Sequence, residues 1–186
     1  MKEKQKNIFN KLLNEHGHIL RMLNLLELQF LDLCRGRAPD YSILLSIIVY
    51  IQEYPEQAHH PLEDAIFSIL LERVDEVELK LIQELITDHT QLEVVTRKLR
   101  ASLESLKSGT VSKEELKQQL PGFIVRQRQH IYNEEITVYP LMQSILTKKD
   151  WLHIQSIAPL LEDPVFGDRT RNDYELLYRE IEGKNR

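Results

Sequence analysis

Histidine and carboxylate side chains recur four residues apart at two places in this chain. His130 precedes Glu134 in the stretch RQRQHIYNEEITVYP, and His59 precedes Glu63 in QAHHPLEDAIF. Four residues make about one turn of an α-helix, so each imidazole would stand beside its carboxylate on one helix face. Two such pairs on two helices predict a metal site inside a helical bundle.

The spacing alone is not decisive, because acidic residues are common in this chain. Asp and Glu make up 29 of the 186 residues. Composition therefore predicts about one histidine with an acid four positions later. Four of the seven histidines have one: His59, His60, His89 and His130. Since His59 and His60 are adjacent and not independent, the position of each pair within its helix is the sharper test.

Composition excludes several classes of protein. With 42% hydrophobic residues, the chain is expected to form one domain, residues 1–186, with a substantial core. The net charge of -5, with basic residues scattered among acids, gives no basic stripe for nucleic acid. The longest apolar run, residues 43–51, is too short to span a membrane. Nucleic-acid and membrane partners are therefore not expected.

The single cysteine, Cys34, indicates a reducing compartment. One cysteine cannot form an intramolecular disulfide. The N-terminal stretch MKEKQKNIFN is charged, and no apolar segment typical of a secretory signal follows it. We therefore expect a cytoplasmic protein, in which Cys34 is a small buried residue at a helix end.

Apolar residues at three-to-four spacing predict four long helices, over residues 4–35, 41–73, 75–106 and 112–146. Pro55 and Pro61 are expected to distort the second, and Pro121 with Gly122 to interrupt the fourth. Ser108–Gly109 would end the third. A capping box from Ser112 and Glu115 would start the fourth. Residues 150–161 and 172–182 predict two shorter helices.

Short turns between long helices favour an up-down-up-down four-helix bundle. Its core would cover residues 4–146, and residues 150–186 would form a C-terminal extension. At a rise of about 1.5 Å per residue, six residues then fall in one layer, roughly 15 to 24 Å from one end of the bundle. These residues are His16, His59, Glu63, His89, His130 and Glu134.

Four imidazoles and two carboxylates in a bundle core suit iron, manganese or zinc. Two carboxylates can bridge two metal ions, and their negative charge offsets part of the charge of the buried cations. Without such partners, buried carboxylates would be expensive. The layer therefore predicts a dinuclear centre.

With these motifs the chain resembles the hemerythrin-like, HHE cation-binding family of four-helix non-haem di-iron proteins. Four segments over residues 10–145 carry the resemblance: Glu15–His16, HHPLED at 59–64, Asp88–His89, and HIYNEEITVYP at 130–140. The resemblance implies an all-α hemerythrin-like bundle that holds two oxo- or hydroxo-bridged irons, with manganese or zinc less expected. By the same resemblance both glutamates bridge the irons. The implied iron ligands are His16, His59, Glu63, His89, His130 and Glu134.

The second motif has two possible registers. His59 and His60 lie about 100° apart on an α-helix, so only one should point squarely into the bundle. The resemblance selects His59 with Glu63. His60 with Asp64 is the rival register, or a pair that supports the ligands from outside.

One position departs from the oxygen-carrying hemerythrins, which have a second histidine one turn after the ligand on the third helix. Here that position is Glu93, which we expect to be a solvated charge. In this respect the chain looks more like the hemerythrin-like proteins of nitrosative and oxidative stress. His18 and His153 are expected at the surface. Tyr50, Tyr54, Tyr132 and Tyr139 are expected to serve packing rather than redox relay.

Two functions are consistent with these patterns. The first is a di-iron protein that binds or reacts with O₂, peroxide or NO, in stress defence or iron homeostasis. The second is a module that binds, senses or stores oxygen or iron without turnover. A purely structural bundle is the weakest hypothesis, because it does not explain the common layer. Whether the protein is an enzyme is left open.

Overall fold

The computed structural model describes residues 2–106 and 112–183, and these parts are helical without any strand. The predicted all-α class is confirmed. The predicted end of the third helix at Ser108–Gly109 lies outside the described residues. The helices are α1 (Lys2–Cys34), α2 (Tyr41–Glu53), α3 (His60–Leu70), α4 (Glu76–Leu106), α5 (Lys113–Asn133), α6 (Tyr139–Ile145), α7 (Lys148–Ile157) and α8 (Glu175–Gly183), with a short 3₁₀ turn at Asn172–Tyr174.

Two π turns divide the second and fourth predicted helices. Pro55–His59 joins α2 to α3, and Glu134–Val138 joins α5 to α6. The predicted distortion near Pro55 is confirmed, because proline cannot donate its backbone hydrogen bond there. The predicted interruption at Pro121 is wrong, since α5 runs through it. Buried Leu120 and Phe123 pack the helix into the core on both sides of the proline, and this packing outweighs the lost bond.

Side-chain caps fix where the later helices begin. Ser112 and Glu115 form the predicted capping box of α5, in which each side chain bonds the other residue's backbone N–H. Thr147 and Asp150 form a second such box at α7. Gly36, at φ +75°, ends α1 in a conformation that residues with a side chain rarely adopt.

The bundle has two apolar clusters along its length. One includes Leu23, Leu26 and Phe123, and the other includes Leu12 and Phe67. Each fully buried side chain of this size contributes about 1.5–3 kcal/mol relative to exposure. Along α1 the two clusters lie on either side of residue 16, and along α4 on either side of residue 89. The apolar clusters therefore hold the helices together and leave a polar layer between them.

One buried carboxylate links the C-terminal segment to the bundle by hydrogen bonds. Asp163 accepts hydrogen bonds from the Tyr50 hydroxyl at 2.9 Å and from His18 Nδ1 at 3.0 Å. It also accepts from the backbone N–H groups of Val165 and Phe166, each at 2.9 Å. Burial alone would raise the pKa of Asp163, but these donors hold it below its usual value.

Two further expectations concern the surface. Cys34 is exposed at the end of α1, so the prediction that it is buried is wrong. The helix ends there, and the last residue turns toward solvent rather than toward α2. In the described parts of the chain, no helix combines the length and the apolar character that crossing a membrane requires.

Asp163→Ala should lower the free energy of unfolding by about 2–3 kcal/mol, because it removes a charged acceptor and leaves the buried Tyr50 hydroxyl unpaired. Urea unfolding measures the change. The matched control is Asp168→Ala at an exposed position of the same segment, which should cost less than about 0.5 kcal/mol. Equal losses in the two variants would contradict this role for Asp163.

Candidate metal centre

The six predicted site residues all lie in the buried layer between the apolar clusters. Their exposed fractions are 1% for His16, 1% for His59, 0% for Glu63, 5% for His89, 2% for His130 and 0% for Glu134. Two carboxylates that solvent cannot reach are expensive unless cations or hydrogen-bond donors surround them. The layer therefore needs compensation from bound cations, protonated imidazoles or hydrogen-bond donors.

Ligand-type atoms in the layer form three groups in which every atom lies within 4.8 Å of the others. One group is His60, His89 and His130. A second is His16, His59 and Glu63. The third, Glu63 with His89 and Glu134, links the other two. Each group could hold a metal ion.

The geometry around the carboxylates suits a metal better than hydrogen bonding does. Glu134 Oε1 lies 3.2 Å from His130 Nε2, and Glu63 Oε2 lies 3.3 Å from His59 Nε2. Yet Glu63 Oε2, Glu134 Oε2 and both ring nitrogens of His130 are buried without a hydrogen-bond partner among the described residues. Ligand atoms at right angles around an ion with bonds of about 2.1 Å lie about 3 Å apart. The donor set thus fits bound metal.

Outer carboxylates hold three of the imidazoles by their Nδ1 atoms. His59 Nδ1 donates to Glu15 Oε2 at 2.9 Å, and His89 Nδ1 donates to Asp64 Oδ1 at 2.8 Å. His16 Nδ1 donates to Glu135 Oε1 at 3.0 Å. In each case Nε2 is left facing the layer, which is how metal-ligating histidines are usually oriented.

The π turn at Glu134–Val138 brings Tyr139 onto the face that carries Glu134. In a regular α-helix, five residues would place them about 140° apart. The Tyr139 N–H instead bonds the carbonyl of Glu134, so the wider turn stacks one above the other. The Tyr139 hydroxyl donates to Glu63 Oε1 at 2.8 Å, and its ring stacks on His16 at 5.2 Å.

The first π turn changes the expectation for the second motif. We expected only one of His59 and His60 to face the bundle, but both are buried, at 1% and 6% exposure. The 100° argument assumed a regular α-helix, whereas the His60 N–H closes a π turn on the Pro55 carbonyl. The ring of His60 stacks on His89 at 4.3 Å. The two registers therefore do not exclude each other.

Electrostatics in the layer separates protonated from neutral imidazoles. Burial alone would lower the pKa of His89, but Asp64, Glu134 and Glu63 raise it to about 12. Burial, reinforced by neighbouring histidines, lowers the pKa of His60 well below its ordinary value. Metal binding at His89 therefore has to displace a proton, while His60 is already neutral.

Other predicted residues fall outside the ligand groups. Glu93 is exposed and paired with Arg97, as expected of a solvated charge. His153 is exposed, whereas His18 is partly buried, because it stacks on Phe166 at 4.1 Å and bonds Asp163. Its burial depends on the C-terminal segment, whose position the local pattern around His18 does not reveal.

Sequence reasoning did not find the partners of the residues that support the layer, although it offered Asp64, paired with His60, as a possible support. Glu15 binds His59 and accepts a 2.5 Å hydrogen bond from the Tyr54 hydroxyl. Glu135 and Asp64 are the other outer acceptors. The acid next to His16 and the second acid in HHPLED were the available signals, but their partners on other helices could not be inferred from spacing.

Residues 7–142 match the model of the hemerythrin HHE cation-binding domain. The chain belongs to this family. It is a cation-binding helical-bundle protein, and the layer of histidines and glutamates lies within the matched region. The match ends before α7, so Asp163 lies beyond it, while its partners His18 and Tyr50 lie within it. No curated protein matches the chain.

His60→Ala should weaken metal binding by more than about tenfold, because loss of a ligand should cost at least as much as loss of an outer carboxylate. His130→Ala should do the same, and exposed His153→Ala should retain wild-type metal content. Metal analysis after dialysis, with calorimetric titration, gives the measurement. Wild-type metal content in His60→Ala would show that His59, and not His60, is the ligand in this motif.

One further carboxyl lies close to the layer without belonging to the ligand groups. Glu56 is in the first π turn, beside Thr96 on α4, and its Oε1 is buried without a hydrogen-bond partner among the described residues. Burial raises the pKa of Glu56 to about 7. Between its unfolded pKa and about pH 7, the folded protein therefore holds a proton that the unfolded chain has lost.

Since the folded state binds the extra proton, stability should fall as the pH rises from about 5 to about 7. Glu56→Gln should remove this contribution in the metal-free protein. The measurement is the difference in urea midpoint between wild type and Glu56→Gln at both pH values. Exposed Glu84→Gln is the control, and its urea midpoint should change between the two pH values as much as that of the wild type. The same change in Glu56→Gln would refute the assignment.

Proposed function

We propose that the chain is a non-haem di-iron protein that binds and reacts with a small oxidant such as O₂, peroxide or NO. The observation that supports this most directly is the set of buried histidines and glutamates with unpartnered ligand atoms. Imidazole and carboxylate together suit iron. A cytoplasmic setting suits a single cysteine. A role in stress defence or iron homeostasis would follow from this chemistry.

The two metal positions have different donor sets. His60, His89 and His130 surround one, while His16 and His59 with Glu63 surround the other. An iron pair would supply the electrons that reduce an oxidant. Each set has three members, so each position leaves room for an exogenous molecule.

A protein-bound proton lies close to the position that His16, His59 and Glu63 surround. The Tyr139 hydroxyl is 3.3 Å from His16 Nε2 and donates to Glu63. Burial alone would lower the pKa of His16, but in the metal-free protein Glu134, Glu135 and Glu63 raise it well above its usual value. A metal ion on His16 would displace that proton, which leaves the Tyr139 hydroxyl as the proton donor. To give back O₂ unchanged, a carrier has to keep protons away from it. A nearby proton donor therefore favours reaction and release of a reduced product over reversible binding.

The reduced, iron-loaded protein should hold about two irons per chain and oxidise in air without a long-lived oxygenated form. Metal analysis and stopped-flow optical spectra would follow this. A stable adduct that returns O₂ under vacuum over repeated cycles would support the alternative, a module that binds oxygen or iron without turnover. Folded protein that takes up no iron would exclude both functions.

A further inference from the structure

Gln127 is a buried polar residue that the ligand groups do not use. It lies on α5, one turn before His130, and only 3% of it is exposed. Buried Phe123, Ile124 and Ile131 flank it on the same helix. Its Nε2 is buried without a hydrogen-bond partner among the described residues. An apolar side chain of the same size would avoid the cost of burying an unpaired amide.

Helix geometry places this amide next to the metal layer. Residues three apart on a helix are neighbours, and side chains lean toward the helix N-terminus. The ring of His130 therefore lies over the turn that carries Gln127. In the described parts of the chain, both ring nitrogens of His130 are without hydrogen-bond partners, so the amide does not donate to His130. Its N–H groups are available to another molecule at the centre.

Two other polar groups lie toward the same end of the bundle. In an up-down bundle α5 runs parallel to α2–α3 and antiparallel to α4. Glu56 lies four residues before His60, Gln127 lies three before His130, and Thr96 lies seven after His89. Each offset points to the same end, where Glu56 and Thr96 are in contact. The Thr96 hydroxyl already donates to the Leu92 carbonyl at 2.8 Å, whereas the Gln127 amide donor has no partner among the described residues.

We propose that Gln127 donates a hydrogen bond to a small anionic ligand bound at the metal centre, and so makes the site prefer peroxide-like anions over neutral diatomic molecules. The inference rests on the proposed function. An N–H donor in a dry site stabilises negative charge much more than it stabilises a neutral molecule. Gln127 is thus a residue that positions and selects the ligand.

The test replaces the amide by a thioether of similar length. In iron-loaded, oxidised protein at pH 6, Gln127→Met should bind azide about tenfold more weakly than wild type, which is the loss expected for one hydrogen bond. Its affinity for NO in the reduced protein should fall by a smaller factor than its affinity for azide, because free NO is neutral and only part of a negative charge develops when it binds reduced iron. Optical titration measures both. The control is Gln129→Met, since Gln129 is exposed and donates to Asn133 on the surface.

A second measurement separates this role from a structural one. Metal-free Gln127→Met should unfold at the same urea concentration as wild type or a higher one, because the variant no longer buries an unpaired amide. A lower midpoint would overturn the proposal by showing that the amide stabilises the fold. Equal azide affinity in Gln127→Met and Gln129→Met would also overturn it, while leaving the di-iron function in place. Iron-loaded wild type that binds neither azide nor NO would instead refute the proposed function itself.

Discussion

Two fully buried carboxylates set the terms for the rest of the structure. Glu63 and Glu134 have no solvent contact, and their charge cannot be left uncompensated in a helical core. In the metal-free state protonated imidazoles supply that compensation, and this is why the pKa values of His16 and His89 are raised. Metal ions would replace those protons. The same pair of glutamates therefore links proton binding to metal binding. Their need for compensating charge is the reason that several histidines lie around them.

The carboxylates need polar partners from the surrounding helices, and two π turns bring some of these partners into the layer. The π turns at Pro55–His59 and Glu134–Val138 lie at the layer itself. One brings two successive histidines inward, and the other places Tyr139 over Glu134. Each π turn weakens the helix hydrogen bonding locally, but the apolar clusters on both sides keep the helices in place. The outer acids Glu15 and Asp64 then orient the rings.

Much of this could be predicted from the sequence, and the reasons for success and failure are physical. Regular spacing predicted the four long helices and the layer, because a constant rise per residue carries over a whole helix. The same regularity misjudged His60, since an angle of about 100° holds only where the helix is α. Pro121 was given too much weight because local preference is weaker than packing. Partners such as Asp64 for His89, or Asp163 for His18, depend on distant segments and leave no periodic signal.

The π turns occur in only some of the long helical segments, so these segments are expected to differ in stiffness. α1 and α4 run unbroken through both apolar clusters and past the layer, each for more than 30 residues, at 33 and 31. The other two long segments, α2–α3 and α5–α6, change from α-helix to π turn at the layer. Wide turns have weaker backbone hydrogen bonding and adjust more easily than regular α-helix. We therefore expect α1 and α4 to stay fixed when the ligand of the centre changes. His59, His60 and Glu134, which lie in or next to the π turns, are expected to move.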